Sequence, residues 1–426
     1  MSKNIVGALP ELMEQGILTG ETAEKIKAYY KTKEQEQPQR MNIVFGIIGG
    51  VLVGLGIILI VAHNWDELSR PVKIIFSFLP LITSQLFCGY SLLKKRDNKT
   101  WIESSAVFLF FAVGASIALV AQVYNIPGSQ GSFLFTWMLL CFPLIYIMPS
   151  SMVSLLYIAG ITAYAVEDGY GYRAADDYHY WWLFLLAVPH YLLLVKKYPG
   201  GNFTFFHHWV LPLSLTICLG TLGTSQGEYI FIAYMSLFGA FYLLGVSAWF
   251  NFKRIISNGY LIIGSLGTMC ILLALSFKWF WEELRYGQKQ MLMPELIAVL
   301  GTTAMAIFLL FKNIRSRAGQ PINPMGFIFL LFIGIFFIGL SYTLAGIILM
   351  NLLVLAAALF TMQRGHRLNS LGTLNYGLLI IAVLVVCRFF DTNISFVIRG
   401  LLFIAVGAGF FMANSRLLKK RKQHEL

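Results

Sequence analysis

Long apolar runs alternate with short polar stretches along almost the whole chain. After residue 41 these runs are 15 to 22 residues long, and a helix of about 20 apolar residues spans the hydrocarbon core of a bilayer. The pattern therefore predicts an all-α, polytopic helical membrane protein with about fourteen transmembrane helices. The predicted spans are 42–62, 72–93, 103–122, 133–148, 151–167, 181–195, 205–222, 229–250, 259–277, 295–311, 325–341, 343–361, 370–387 and 395–414.

Two junctions between apolar runs determine the range of the span count. Runs four and five meet at 149–151, and runs eleven and twelve meet near Ser341. If each junction is a bend inside one span, the count falls from fourteen to twelve. The range is therefore 12–14.

The distribution of basic residues orients the chain. With the N-terminus inside, 24 of the 32 Lys and Arg residues fall on the cytoplasmic side, as the positive-inside rule requires. This asymmetry predicts fourteen spans with both termini in the cytoplasm (N-in/C-in), as in an inner-membrane protein. The net charge of +12 comes from short basic clusters between the apolar runs. It therefore predicts no nucleic-acid partner. The expected partner is the lipid bilayer.

Composition supports the same class. The chain is 58% hydrophobic and 12% charged, whereas a soluble domain carries about 25% charged residues. The five cysteines are scattered singly in or beside apolar runs, which predicts buried packing thiols rather than disulfides or a metal site. No nucleotide-binding, metalloprotease or serine-hydrolase motif occurs, so no cofactor is predicted and an enzymatic role stays an open alternative.

The polar N-terminal segment predicts a separate small domain. Residues 1–40 form a cytoplasmic helical hairpin in this interpretation, and residues 41–426 form the transmembrane domain. Within the hairpin, Gly16 ends the first helix and Thr19 begins the second. Such a hairpin is too short to be stable alone. Residues 7–36 either cap the membrane domain or mediate homo-oligomerisation or docking of a cytoplasmic partner.

Small residues in the first span predict close helix packing. Gly46, Gly50 and Gly54 recur every fourth residue, a spacing that lets two helices approach closely. The same span ends in the polar stretch VAHNWDEL, residues 61–68. Tight packing of this helix would fix the position of that stretch at the external surface.

Polar side chains gather at the predicted external ends of several spans and form the candidate extracytoplasmic site. Charges inside the bilayer cost about 2.5–3.5 kcal/mol, so Arg399 and Glu295, both close to a span end, are expected to pair across helices or to line a cavity. The alternative is an ordinary membrane interface, with an aromatic belt formed by Trp65, Trp181, Trp182, Trp279 and Trp281. The candidate residues are His63, Asn64, Trp65, Asp66, Glu67, Gln122, Tyr124, Arg388, Asp391 and Arg399.

Three segments resemble one known family. They are the AHNWDEL stretch after the glycine-rich span, AQVYNIPG at 121–128, and the C-terminal RFFD to GFFMAN segment at 388–414. Together with the hairpin, they resemble a bacterial family of predicted multi-pass membrane proteins defined only as a domain of unknown function. The resemblance implies the membrane fold and a place in the cytoplasmic (inner) membrane of a bacterium, and it carries over no catalytic residue.

Three functions remain as hypotheses. The span count and the lack of soluble domains favour a carrier or flippase that moves an envelope-related or small polar substrate. Asp66 and Glu67 in the first external loop would suit an envelope enzyme, a glycosyl- or phospholipid-modifying transferase, whose lipid phosphate Arg388 and Arg399 could bind. The hairpin would suit a membrane scaffold or sensor. Deleting residues 1–40 tests the scaffold hypothesis, which fails if activity survives. Replacing Asp66 by Asn and Glu67 by Gln tests the enzyme hypothesis, which requires a large loss of function without loss of protein.

Overall fold

A computed structural model of the chain shows two compact units, Met1–Phe76 and Ser77–Leu426, which are described separately. The described residues are 9–10, 12–35, 65–170, 178–223, 228–247, 255–286, 293–316, 324–391 and single positions between 397 and 412.

The first unit contains the predicted helical hairpin. Its first helical segment ends at Gly16, whose φ of 68° lies in the left-handed region that glycine adopts without strain. Helix α1, Gly20–Gln35, begins after Thr19, whose carbonyl accepts a hydrogen bond from the Ala23 amide at 3.0 Å. Leu9 and Ala23 are buried. Both predicted helix ends are therefore confirmed, while the domain boundary at residue 40 stays a prediction.

The remaining helices follow the predicted apolar runs. They are α2 Arg70–Lys94, α3 Lys99–Tyr124, α4 Gln130–Cys141, α5 Leu144–Ile147, α6 Ser151–Gly169, α7 His179–Lys197, α8 Asn202–Leu219, α9 Ile230–Val246, α10 Gly259–Ala274, α11 Lys278–Tyr286, α12 Met293–Ser316, α13 Ile328–Ser341, α14 Thr343–Arg367 and α15 Leu371–Asp391. The twelve predicted spans from 72–93 to 370–387 coincide with these helices. The first predicted span and its glycines Gly46, Gly50 and Gly54 lie outside the described residues, and the last span is described only at single positions.

The polytopic helical membrane fold is confirmed. Among the described residues, eight helices are long and apolar enough to cross a membrane, or nine if the bent pair α10 and α11 forms one span. Helix α9 is apolar but shorter, and α6 and α7 are not among the eight. The number of crossings and the orientation therefore stay predictions.

Helix α9 is the buried centre of the second unit. Its sequence IFIAYMSLFGAFYLLGV is apolar all round, as expected for a helix surrounded by other helices. It packs on α8, α10, α12 and α13. A Cβ atom at Gly245 would lie 2.6 Å from the backbone nitrogen of Leu261, so α9 and α10 are in direct backbone contact there.

The predicted exposure of the tryptophans and the predicted burial of the cysteines are each wrong in part. Trp281 is fully buried and its indole nitrogen donates to the Leu275 carbonyl at 2.7 Å, because the bend between α10 and α11 turns it inward. Trp65 is also buried, whereas Trp182 and Trp279 are exposed as an aromatic belt requires.

Among the cysteines, Cys88, Cys141 and Cys218 are buried, Cys270 is exposed and Cys387 is half-buried. An apolar helix surface facing lipid accommodates a thiol as readily as a packed interior does.

Candidate functional site

The acidic part of the VAHNWDEL stretch lies in a short 3-10 turn, Trp65–Glu67. Asp66 and Glu67 are exposed, whereas Trp65 is buried, with the Lys73 ammonium 5.7 Å from the centre of its ring. The acids therefore face outward from the turn while the indole is enclosed. His63 and Asn64 lie outside the described residues.

Gln122 and Tyr124 lie in the last turn of α3, and both are exposed. Asn125 ends this helix in the left-handed conformation, with a φ of 50°. Helix α3 packs on α4 and α6. These two side chains therefore belong to the end of one helix hairpin rather than to an enclosed site.

Arg388 lies at the end of α15 and contacts the break between α10 and α11. Its Nη2 atom donates to the Ser276 hydroxyl at 3.1 Å, and its guanidinium carbon lies 4.6 Å from the centre of the Phe277 ring. Helix α15 packs on α14 and α10, a different set of neighbours from that of α3. The structure thus brings Arg388 to Ser276 and Phe277, which the sequence did not suggest. The Asp391 side chain and Arg399 lie outside the described residues, so a site shared by all the candidates stays a prediction.

The break itself is stabilised by side chains. Helices α10 and α11 meet at 86°, and the carbonyl groups at the break would lack partners within the helix. Trp281 donates to the Leu275 carbonyl at 2.7 Å, and the Asn351 amide donates to the Ser276 carbonyl at 3.2 Å. The bend is therefore a defined structural feature in which α11, α14 and α15 each supply one polar group.

Two buried acids lie at the beginning of α9 and α12. Glu295 is fully buried in the first turn of α12, and Glu228 is buried two residues before α9. Glu228 is close enough to act electrostatically on Glu295, and the Tyr229 and Ile230 amides point towards the Glu295 carboxylate. Among the described residues, neither Glu295 oxygen forms a hydrogen bond of good geometry. The positive end of the α9 dipole offsets part of this buried negative charge.

A second polar group is a cluster of three histidines from α7 and α8. His207 donates from Nδ1 to the Phe203 carbonyl at 2.7 Å, so its Nε2 accepts from the Ser154 hydroxyl at 3.0 Å. Tyr260 donates to Tyr191, which in turn bonds His208 Nδ1 at 2.9 Å.

The third histidine, His190, completes this cluster. Its ring lies 6.2 Å from that of His207, and its buried Nε2 atom has no hydrogen-bond partner among the described residues. Within the described chain, no three His, Cys, Asp or Glu side chains have the arrangement of a metal site. The cluster is therefore a hydrogen-bonded connection between helices.

The sequence interpretation missed Ser276 and Asn351, and it did not place the three histidines next to one another. Asn351 is an isolated polar residue inside an apolar run, and intramembrane polar residues usually face other helices. This signal could have drawn attention to Asn351. Nothing in the sequence near Ser276 distinguishes a helix break from an uninterrupted span.

Comparisons with known proteins support the family resemblance over part of the chain. No curated protein and no solved structure matches the chain. The matched family segment includes the AHNWDEL and AQVYNIPG stretches, and the C-terminal segment 388–414 lies outside it. Residues 10–154 match the family of predicted membrane proteins known as DUF2157, a domain of unknown function.

Proposed function

We propose that this membrane protein is a carrier that binds a small polar solute with an anionic group beside the break between α10 and α11. The observation that carries the proposal is the 86° bend in an apolar helix pair with Arg388 next to it. Carriers commonly build their sites from discontinuous transmembrane helices, because the interrupted backbone supplies polar groups inside the membrane.

Arg388 supplies the charge that such a site requires. A guanidinium group carries a permanent positive charge and five N–H donors in a planar arrangement, and one donor of Arg388 bonds Ser276. Its planar geometry suits a carboxylate or a phosphate better than a lysine would. Stacking on Phe277 at 4.6 Å holds the group in one orientation, which lowers the entropy cost of binding.

The acids Glu228 and Glu295 would provide the coupling. Two carboxyl groups enclosed in an apolar bundle are costly when both are charged. A proton or a cation that binds between them relieves this cost, so its release can be linked to movement of α9 and α12. Both acids begin helices that pack on each other, which gives the coupling a structural route.

Thermal unfolding of the purified full-length protein in detergent tests the binding site. The probes are inorganic phosphate, succinate and glycerol 3-phosphate, with glucose as a neutral comparison. At 100 times its Kd, a ligand stabilises the folded state by about 2.7 kcal/mol, which corresponds to a rise in Tm of several degrees. We expect at least one anion to stabilise the wild type but not Arg388→Gln.

Arg364→Gln is the matched control. Arg364 is also partly buried and bonds a side chain, the Tyr242 hydroxyl at 3.0 Å, but it lies in the last turn of α14 and not at the break. This variant should keep the stabilisation by the anion. Equal stabilisation of all three proteins, or none in the wild type, would exclude the proposed site. Uptake of the stabilising anion into proteoliposomes then separates a carrier from an enzyme, which would convert the anion without accumulating it.

A further inference from the structure

A cluster of six cations lies at the ends of three membrane helices and is independent of the proposed carrier site. It combines the end of α2, the start of α3 and the end of α7, and all six side chains are exposed. We call it the basic patch, and it consists of Lys94, Lys95, Arg96, Lys99, Lys196 and Lys197.

Aromatic rings hold the two halves of the basic patch together. The Lys99 ammonium lies 5.0 Å from the centre of the Tyr198 ring and 5.1 Å from that of Phe203. Lys197 lies 5.4 Å from the centre of the same Tyr198 ring. Lys99 and Lys197 therefore flank one tyrosine, although they are almost 100 positions apart in the chain.

The basic patch has little negative charge of its own. Within its two loops the single acid is Asp97. Among the described residues, none of the six cations forms an ion pair. Like charges brought this close repel one another, so the arrangement favours binding of an external anion.

We propose that the basic patch binds the headgroup of an anionic phospholipid. The ends of α2 and α3 belong at the level of the headgroups, since both helices are long and apolar enough to cross a membrane. The shared contacts of Lys99 and Lys197 with the Tyr198 ring bring the end of α7 to the same level. Each lysine near an anionic membrane surface strengthens attraction to it by roughly fivefold. Trp101 packs against Phe87 and Tyr90 at ring distances of 5.4 and 5.6 Å, which places amphipathic rings beside the cations as membrane interfaces require.

Native mass spectrometry of the purified full-length protein tests this inference. The probes are phosphatidylglycerol, which is anionic, and phosphatidylcholine, which carries no net charge. We expect the wild type to bind phosphatidylglycerol at least tenfold more tightly than phosphatidylcholine. Lys99→Gln/Lys197→Gln should lower the affinity for phosphatidylglycerol by about tenfold or more and leave that for phosphatidylcholine unchanged.

Two further variants make the result specific. Arg315→Gln/Arg367→Gln removes the same charge from exposed ends of α12 and α14 and should change the affinity less than twofold. Lys95→Gln/Lys196→Gln removes two exposed patch cations that have no ring contact within the described part of the chain, so it should fold normally and still weaken binding. Equal losses in the patch and control variants would overturn the proposal. Displacement of the lipid by equimolar inorganic phosphate would also overturn it, because the site would then recognise free phosphate.

Discussion

Glu103 illustrates how one acidic side chain can organise a helix end inside the second unit. Its carboxylate accepts hydrogen bonds from the Ser151 and Met152 amides, both at 3.0 Å, and from the Ser150 hydroxyl. Ser150 also accepts from the Val153 amide at 3.1 Å. These bonds satisfy amides at the start of α6 that have no partner within the helix.

Replacing Glu103 by alanine should therefore destabilise the protein. The loss of a charged cap and of its hydrogen bonds should lower the free energy of unfolding by about 1–3 kcal/mol. Thermal or denaturant unfolding of the purified protein in detergent measures this change. Glu167→Ala is the matched control, since Glu167 is an exposed acid near the other end of the same helix. Equal effects of the two substitutions would show that Glu103 does not act as a cap.

A charge in or beside an apolar run draws attention to a residue, but the sequence does not say what that residue contacts. Glu295 was singled out because charges are rare in apolar runs, and Arg388 was a candidate at a predicted span end; Glu295 is fully buried and Arg388 is half-buried. Their neighbours were not predicted. Ser276 and Arg388 are 112 positions apart, and Ser150 and Glu103 are 47 apart. Such pairs depend on how helices pack, which hydrophobicity alone does not determine.

At the scale of helix pairs, the contact between α13 and α14 depends on two glycines. A Cβ atom at Gly346 would lie 2.5 Å from the Cα atom of Gly339, so the two backbones touch. A Cβ atom at Gly339 would lie 2.2 Å from the Trp281 ring. The glycines therefore make room for Trp281, whose indole supports the break between α10 and α11.

Gly339→Val should separate these helices and loosen the break. Overpacking of this kind costs about 1–3 kcal/mol or more, and we expect Tm to fall by several degrees. Gly334→Val in the same helix is the control, because a Cβ atom there meets nothing within 4 Å. Tryptophan fluorescence follows the change and should report a more exposed Trp281 in Gly339→Val alone. Similar unfolding of both variants would contradict the proposed role of this contact.

Helix positions were predictable because each apolar run is about as long as a helix that spans the hydrocarbon core of a bilayer. Both uncertain junctions are helix ends, because Ser150 has an extended backbone and Tyr342, with a φ of −129° and a ψ of 87°, is not helical either. The bend after α10 was not predicted. Residues 259–277 contain no charged side chain, and the carbonyls just after the helix accept hydrogen bonds from Trp281 and Asn351. A hydropathy pattern cannot detect partners supplied by other helices.

For the whole molecule, the charge distribution and the apolarity of the helices differ on which helices cross the membrane. The charge distribution predicts fourteen crossings, while α6 and α7 are not among the helices that meet the length and apolarity expected of a span. Each is 19 residues long. Both contribute buried residues to the core shared with α3, α4 and α8. Helices enclosed by neighbours need less apolar surface than helices that face lipid, so α6 and α7 can cross despite their polar residues.

Accessibility of single cysteines tests this prediction directly. In a variant whose five native cysteines are replaced by serine, one cysteine is introduced at Asp97, Glu167, Glu282 or Arg367, all exposed in the structure. A maleimide that cannot cross membranes should label the cysteines at 167 and 282 in intact cells. Those at 97 and 367 should react only after the membrane is permeabilised.

Each possible deviation identifies a different error in the predicted topology. Three predicted spans separate Asp97 from Glu167, so labelling of both on the same side would mean that an even number of them crosses. Because α3 and the run formed by α4 and α5 are long and apolar enough to cross, α6 would then be the helix that does not. Four predicted spans separate Glu167 from Glu282, and opposite labelling of these two would mean that an odd number of α7, α8, α9 and α10 crosses. Complete reversal of all four results would keep the spans and invert the orientation. In that case the basic patch would face the external leaflet, and the cation-rich ends of the helices would violate the positive-inside rule.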